Sequence, residues 1–71
     1  MAVKPLSPTQ YRALLAKLEL SQVRCAHLLG VAEFTSRRWA ANGAVGTAAI
    51  VLRLLMAGKI TISDLEEVPR E

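Results

Sequence analysis

The 71-residue chain has few of the residues that form covalent cross-links, metal sites and catalytic centres. It has one cysteine, Cys25, and one histidine, His27, which excludes an internal disulfide and a cluster of metal ligands. Both fall on one predicted helix and face different directions, so they form no nucleophile–base pair. We expect Cys25 to be buried and His27 to be exposed, either as an inert surface residue or as a phosphate contact. The four scattered glycines form no phosphate loop. The chain is therefore predicted not to be an enzyme and to hold no metal, cofactor or small-molecule ligand.

A long apolar run is also missing. Apolar residues make up 52% of the chain, and residues 48–57 are nearly all apolar, but Arg53 interrupts this run. The run is also well short of the ~20 residues that a membrane crossing requires. Residues 1–7 contain one lysine and no apolar stretch, which argues against a signal peptide. We predict one cytoplasmic domain over residues 1–71, with its core over about 6–65.

Charge is distributed unevenly along the chain. Residues 1–59 carry eight Lys or Arg against two Glu, a net charge of +6, whereas residues 60–71 carry a net charge of −3. Residues 66–71 are predicted to form an acidic tail. A basic body suits a polyanionic partner, but many small domains carry such an excess for solubility alone. The charge by itself therefore does not decide the function.

The spacing of apolar residues predicts five helices and no sheet. Residues typical of helix caps mark the starts, including the capping box Ser7-Pro8-Thr9-Gln10, and glycines mark several ends. The predicted helices run from Pro8 to Leu18 or Glu19, from the cap Ser21 to the stop at Gly30, from Glu33 to Ala41, from the cap Thr47 to Met56 or Ala57, and from the cap Ser63 to about Val68. The predicted fold is an all-α, compact bundle of about five short helices.

The third predicted helix has a distinctive outer face. Helical spacing places Ser36 and Trp39 on the inner side, and Phe34, Arg37 and Arg38 on the rest of the circumference. A large apolar ring beside two guanidinium groups suits the major groove of DNA, where Phe contacts a thymine methyl and Arg binds guanine or phosphate. The alternative is that Phe34 folds back onto the bundle and the arginines form a solvated face.

Residues around the second and third helices carry a family resemblance. Ala26 lies four positions before Gly30, a spacing that lets two short helices cross closely around a sharp turn. Together with Leu20-Ser21-Gln22, Leu28-Leu29-Gly30-Val31, Thr35 and Arg38-Trp39, these residues resemble the lambda-repressor-like, Cro/Xre family of helix-turn-helix DNA-binding domains, over about residues 6–65. The resemblance implies a bundle of four or five helices, often dimeric, with the second helix against phosphate and the third in the major groove.

The resemblance also implies which residues contact DNA. Gln22 matches the residue that opens the second helix and meets phosphate, and Thr35 matches a backbone contact. Glu33 and Phe34 match the first outward positions of the third helix, and Arg38 matches another one turn later. With Arg37 from the outer face, the predicted DNA-binding residues are Gln22, Glu33, Phe34, Thr35, Arg37 and Arg38. For Glu33 two roles stay open: it accepts a hydrogen bond from a cytosine amino group, or it only stabilises the start of the helix through the helix dipole.

Two features, which involve three positions, depart from the family pattern. Ser36 stands where Val or Ile usually packs the third helix into the core, which weakens docking unless its hydroxyl bonds back to the preceding turn. Leu15 and Ala40 stand where the family often has a buried Arg–Glu ion pair. Because both partners are replaced, no unpaired charge is buried, and we expect the fold to tolerate the change.

Two hypotheses of function follow. The first is sequence-specific binding of double-stranded DNA by a bacterial or phage repressor-like regulator, associated with the nucleoid. The second is a protein-interaction module, antitoxin-like or an assembly partner, that uses the same bundle without reading DNA. The abundant apolar residues of the fourth helix keep this second hypothesis open. With the segment from Lys59 onward they also offer a homodimer interface, unless they all close the monomer's own core.

Overall fold

The structure, a computed structural model, describes residues 4–69. These residues form five helices, which confirms the predicted all-α bundle: α1 (Pro8–Leu18), α2 (Gln22–Leu29), α3 (Glu33–Asn42), α4 (Gly46–Met56) and α5 (Ile62–Glu66). None of these helices has both the length and the apolar character needed to cross a bilayer. Two predictions fall partly outside the described residues: residues 1–3 belong to the segment judged not to be a signal peptide, and Arg70 and Glu71 belong to the acidic tail.

Local side-chain caps begin α1 and α2 where the sequence predicts them. The Ser7 hydroxyl accepts the Gln10 amide at 3.1 Å, and the Gln10 side chain accepts the Ser7 amide at 3.0 Å. The Ser21 hydroxyl accepts the Arg24 amide at 2.9 Å. Each of these bonds satisfies an amide that has no partner within the helix. At the far end of α2, Gly30 takes the left-handed conformation, with φ of 69°, and ends the helix.

Two predicted caps are wrong. Helix α4 begins at Gly46, whose φ of 63° favours glycine, and Thr47 lies inside the helix rather than capping it. Helix α5 is capped by Thr61, two residues before the predicted Ser63, and ends at Glu66. The Thr61 hydroxyl and the Asp64 carboxylate exchange hydrogen bonds with each other's amides, at 3.1 and 2.8 Å. This reciprocal pair fixes the start of α5.

The core lies where α1 and α2 pack against α3, with α4 residues closing it. Trp39 is 7% exposed, as predicted for the inner side of α3, and its ring meets that of Tyr11 edge-to-face at 5.7 Å. Leu15 and Ala40, the pair predicted to replace an ion pair, both belong to this core. The remaining buried members are Leu6, Leu14, Cys25, Ala44, Leu52 and Leu55.

A buried polar cluster of Tyr11, Ser36 and Cys25 joins α1, α3 and α2. Ser36 is fully buried, and its hydroxyl is hydrogen-bonded to the Tyr11 hydroxyl. The Ser36 hydroxyl is thus satisfied by a bond to a different helix, whereas the sequence suggests only a bond to its own preceding turn. Burial raises the pKa of Tyr11, as does the neighbouring Cys25 thiol, and burial also raises the pKa of that thiol. Both groups stay protonated, and Cys25 is buried as predicted.

The segment before α1 is fixed to the loop between α3 and α4. The amides of Leu6 and Ala44 each donate to the other's carbonyl at 2.8 Å. Gly43 has a φ of 90°, and a Cβ there would lie 2.5 Å from the Leu6 carbonyl oxygen, so this close approach requires glycine. Arg53 on α4 donates to the carbonyls of residues 4 and 5, at 2.8 and 3.0 Å.

Candidate nucleic-acid interface

The turn between α2 and α3 sets the direction in which α3 leaves the core. Ala26 is fully buried, and its carbonyl accepts the Val31 amide at 3.0 Å across the left-handed Gly30. Helices α2 and α3 pack directly against each other. A methyl side chain at position 26 allows two helices to approach closely, and the turn then presents one side of α3 to solvent.

The outward side of α3 is the side that helical spacing predicts. Phe34 is 60% exposed, so its ring does not fold back onto the bundle. Glu33, Arg37 and Arg38 are also exposed, whereas Ser36 and Trp39 are buried. We call Glu33, Phe34, Arg37 and Arg38 the α3 outer face. It combines two guanidinium groups, one carboxylate and one large apolar ring on a helix of 10 residues.

Each arginine of the α3 outer face is paired with a side chain one turn earlier. An Nη atom of Arg37 lies 3.7 Å from an Oε atom of Glu33. The guanidinium carbon of Arg38 lies 5.6 Å from the ring centroid of Phe34, a cation–π contact. Spacing of four residues places such partners side by side on a helix. The other two predicted DNA-binding residues, Gln22 at the start of α2 and Thr35 on α3, belong to neither pair and are half-buried.

Glu33 has a second close neighbour, which lies on α2. Its carboxylate lies 4.0 Å from Nε2 of His27, whose side chain is exposed as predicted. The carboxylate thus sits between Arg37 and the imidazole, which adds a second positive charge when it is protonated. This arrangement lowers the repulsion that Glu33 exerts on a nearby anion.

Arg24 is a basic residue near this region that the sequence did not single out. It forms an ion pair with Glu66 of α5, and both side chains are about half exposed. Glu66, the first residue of the predicted acidic tail, is therefore the last residue of a helix that packs on α2. No local pattern signals this pair, since its partners are 42 residues apart.

Two further arginines serve the fold itself. Arg12 donates to the Ala40 carbonyl at 2.9 Å, which ties α1 to α3. Arg53 binds the carbonyls of residues 4 and 5, as described above. Part of the basic charge predicted for the body of the chain is thus used internally. Within residues 4–69, the positive charges of the α3 outer face are those of Arg37 and Arg38.

The surface beside α2 contains two shallow clefts. One, of about 350 Å³, is lined by Arg24, His27, Leu28 and Glu66. The other, of about 300 Å³, is mainly apolar and lies between α2, α4 and α5. In the part of the chain that the structure describes, no group of His, Cys, Asp and Glu side chains is arranged to hold a metal ion.

Comparison with protein-family models, with curated proteins and with solved structures gives no match for this chain. Its resemblance to Cro/Xre domains therefore rests on its own residues. The function has to be inferred from the α2–α3 arrangement and from the α3 outer face.

Proposed function

We propose that the chain binds double-stranded DNA in a sequence-specific manner, with α3 in the major groove. The observation that carries this proposal is the α3 outer face, where an exposed phenylalanine ring stands beside two arginines. A single α-helix fits the major groove, in which every base pair presents a distinct pattern of donors, acceptors and methyl groups. Exposing a large ring to water is unfavourable, and a thymine methyl offers it an apolar contact.

The two arginines are proposed to have different roles. Arg38 has the Phe34 ring against its guanidinium, which leaves the in-plane N–H groups to bind the O6 and N7 atoms of guanine. Arg37 is drawn toward Glu33 and acts on phosphate, where a contact needs charge more than orientation. Gln22 and Thr35 are proposed to position the backbone, and Glu33 to orient Arg37.

By its resemblance to Cro/Xre domains, the chain is proposed to be a repressor-like transcriptional regulator of bacterial or phage origin, acting in the cytoplasm on the nucleoid. Small domains of this type often bind two half-sites about one helical turn apart as dimers. We propose that α4 and the segment from Lys59 onward form the dimer contact. Sedimentation equilibrium with and without a selected duplex tests it, and one protein copy per site without paired half-sites contradicts it.

Single substitutions test the groove assignment. Arg38→Ala is expected to weaken binding to the preferred duplex by about 1–3 kcal/mol and to relax the preference at one base pair. Arg37→Ala is expected to weaken all duplexes similarly and to reduce the slope of log K against log salt by about one. Fluorescence anisotropy across a salt series measures both, with Lys17→Ala on α1 as a control distant in sequence. Unchanged binding in both variants rules out the assignment.

One observation favours a second function, that of a protein-interaction module. Val45, Ile50 and Leu54, at the start and on one side of α4, are 67%, 43% and 38% exposed. Exposed apolar residues grouped on one element are typical of protein interfaces. Salt separates the two functions, because phosphate contacts weaken steeply as salt rises, whereas an apolar interface hardly responds.

A further inference from the structure

We infer that Phe34 and Arg38 act as one unit that reads a 5-methylpyrimidine next to a guanine, so that thymine and 5-methylcytosine are accepted alike. This inference rests on the proposed DNA binding and specifies the target of the same site. It also adds a property that DNA binding alone does not imply, namely a response to methylation of cytosine.

The geometry holds the ring and the guanidinium close enough together to contact adjacent base pairs. The guanidinium carbon of Arg38 lies 5.6 Å from the Phe34 ring centroid. Successive bases are about 3.4 Å apart along a strand, so this separation is smaller than two base steps. Both side chains are exposed on the same side of α3. A groove-bound α3 thus brings the ring to the base beside the one that Arg38 contacts.

The chemistry of the two groups fits two different features of such a step. The N–H groups of a guanidinium lie in its plane and bind the O6 and N7 atoms of guanine, while its faces pack against flat or apolar groups. The Phe34 ring contacts the methyl group on C5 of the neighbouring pyrimidine. Thymine and 5-methylcytosine carry this methyl group, whereas uracil and cytosine do not. The methyl group then packs against the exposed part of the ring, beside the guanidinium.

Arg37 cannot perform this readout in the same way. Its guanidinium forms an ion pair with the Glu33 carboxylate 3.7 Å away, and is drawn toward that charge rather than stacked on an aromatic ring. The pairing with Phe34 therefore makes Arg38 the arginine suited to a base edge. Phe34 is 60% exposed, so its ring contributes little to the core and is available for this contact.

The experiment starts from a duplex selected by the full chain from random DNA. At the pyrimidine beside the guanine that Arg38→Ala identifies, four duplexes are compared: thymine, uracil, cytosine paired with guanine, and 5-methylcytosine paired with guanine. Burial of one methyl group changes affinity by about four-fold. We expect uracil and cytosine to raise Kd by about that factor, and 5-methylcytosine to return it toward the thymine value.

The variant Phe34→Ala is expected to bind thymine and uracil duplexes equally, and to bind cytosine and 5-methylcytosine duplexes equally. Val68→Ala removes a side chain of similar exposure, 52%, beyond α5, and is expected to retain the full methyl dependence. Circular dichroism confirms that both variants are folded. The uracil and 5-methylcytosine duplexes also test the inference with the unsubstituted chain alone.

The outcomes separate the two proposals. Selected sites without a pyrimidine–guanine step, equal affinity for thymine and uracil, or the same methyl dependence in Phe34→Ala each overturn the inference and leave DNA binding intact. Failure of the chain to enrich any sequence, together with no duplex binding at low salt, overturns the proposed function and the inference with it.

Discussion

The hydrogen bond between Tyr11 and Ser36 allows a sharp test of how α3 is held. Both side chains are fully buried, so neither hydroxyl can exchange its partner for water. The variant Tyr11→Phe removes one hydroxyl and leaves that of Ser36 buried without this bond. Ser36→Ala does the converse and leaves the Tyr11 hydroxyl buried without this bond.

The expected magnitudes follow from which polar groups remain. A buried polar group that loses its partner costs about 1–3 kcal/mol, whereas the net gain from one hydrogen bond is about 0.5–1.5 kcal/mol. Each single variant is therefore expected to lose about 2 kcal/mol. The double variant leaves neither hydroxyl and is expected to lose about 1.5 kcal/mol rather than the sum. The coupling between the two positions then amounts to about 2.5 kcal/mol.

Urea unfolding followed by circular dichroism measures the free energy of unfolding of the four proteins. For a chain of this size, the loss in each single variant corresponds to a Tm lower by roughly 8–16 °C. The urea dependence of the free energy should stay the same, because the surface exposed on unfolding hardly changes. Losses that add to within about 0.5 kcal/mol in the double variant refute the direct bond.

Three further predictions use other parts of the fold. Ala40→Glu buries an unpaired carboxylate and is expected to cost about 3 kcal/mol or more, of which Leu15→Arg recovers a large part; simple additivity in urea unfolding argues against their proximity. Gly43→Ala should destabilise more than the control Gly58→Ala, which also has positive φ but no atom within 4 Å of the added Cβ, and equal Tm values disprove the close approach. Burial raises the pKa of the phenol and of the thiol in the buried polar cluster. Their contribution to the free energy of unfolding is therefore complete below pH 9.0 and is lost as the pH rises through their pKa values in the folded protein. A Tm that stays constant in alkaline buffer contradicts this.

The start of a helix can be predicted from the sequence where a local cap determines it, but not where tertiary packing selects between two possible caps. Ser7 and Ser21 bind amides three residues ahead, so the sequence alone locates α1 and α2. For α5, Thr61 and Ser63 are both followed three residues later by an acidic side chain, and local pattern does not separate them. The Thr61–Asp64 bonds fix the start of α5, and the half-buried Leu65 packs this helix on the core.

The same distinction applies to the candidate site. The α3 outer face is predictable because one helical period divides exposed from buried residues within a single element. The Arg24–Glu66 pair is not, since it depends on how α5 packs against α2. The partner of Ser36 is missed for a similar reason: the Tyr11 hydroxyl is 25 residues away along the chain.

The attachment of residues 4–6 has a consequence for the order of folding. Arg53 binds carbonyls that are 49 and 48 residues away, so these bonds close a loop that contains most of the chain. Closing so long a loop costs conformational entropy, so we expect these bonds to form after the more local packing of α1, α2 and α3. The Leu6 and Ala44 amides, which bond to each other's carbonyls, are both fully buried. The rate of hydrogen exchange at these two amides therefore reports how often residues 4–6 detach from the loop between α3 and α4.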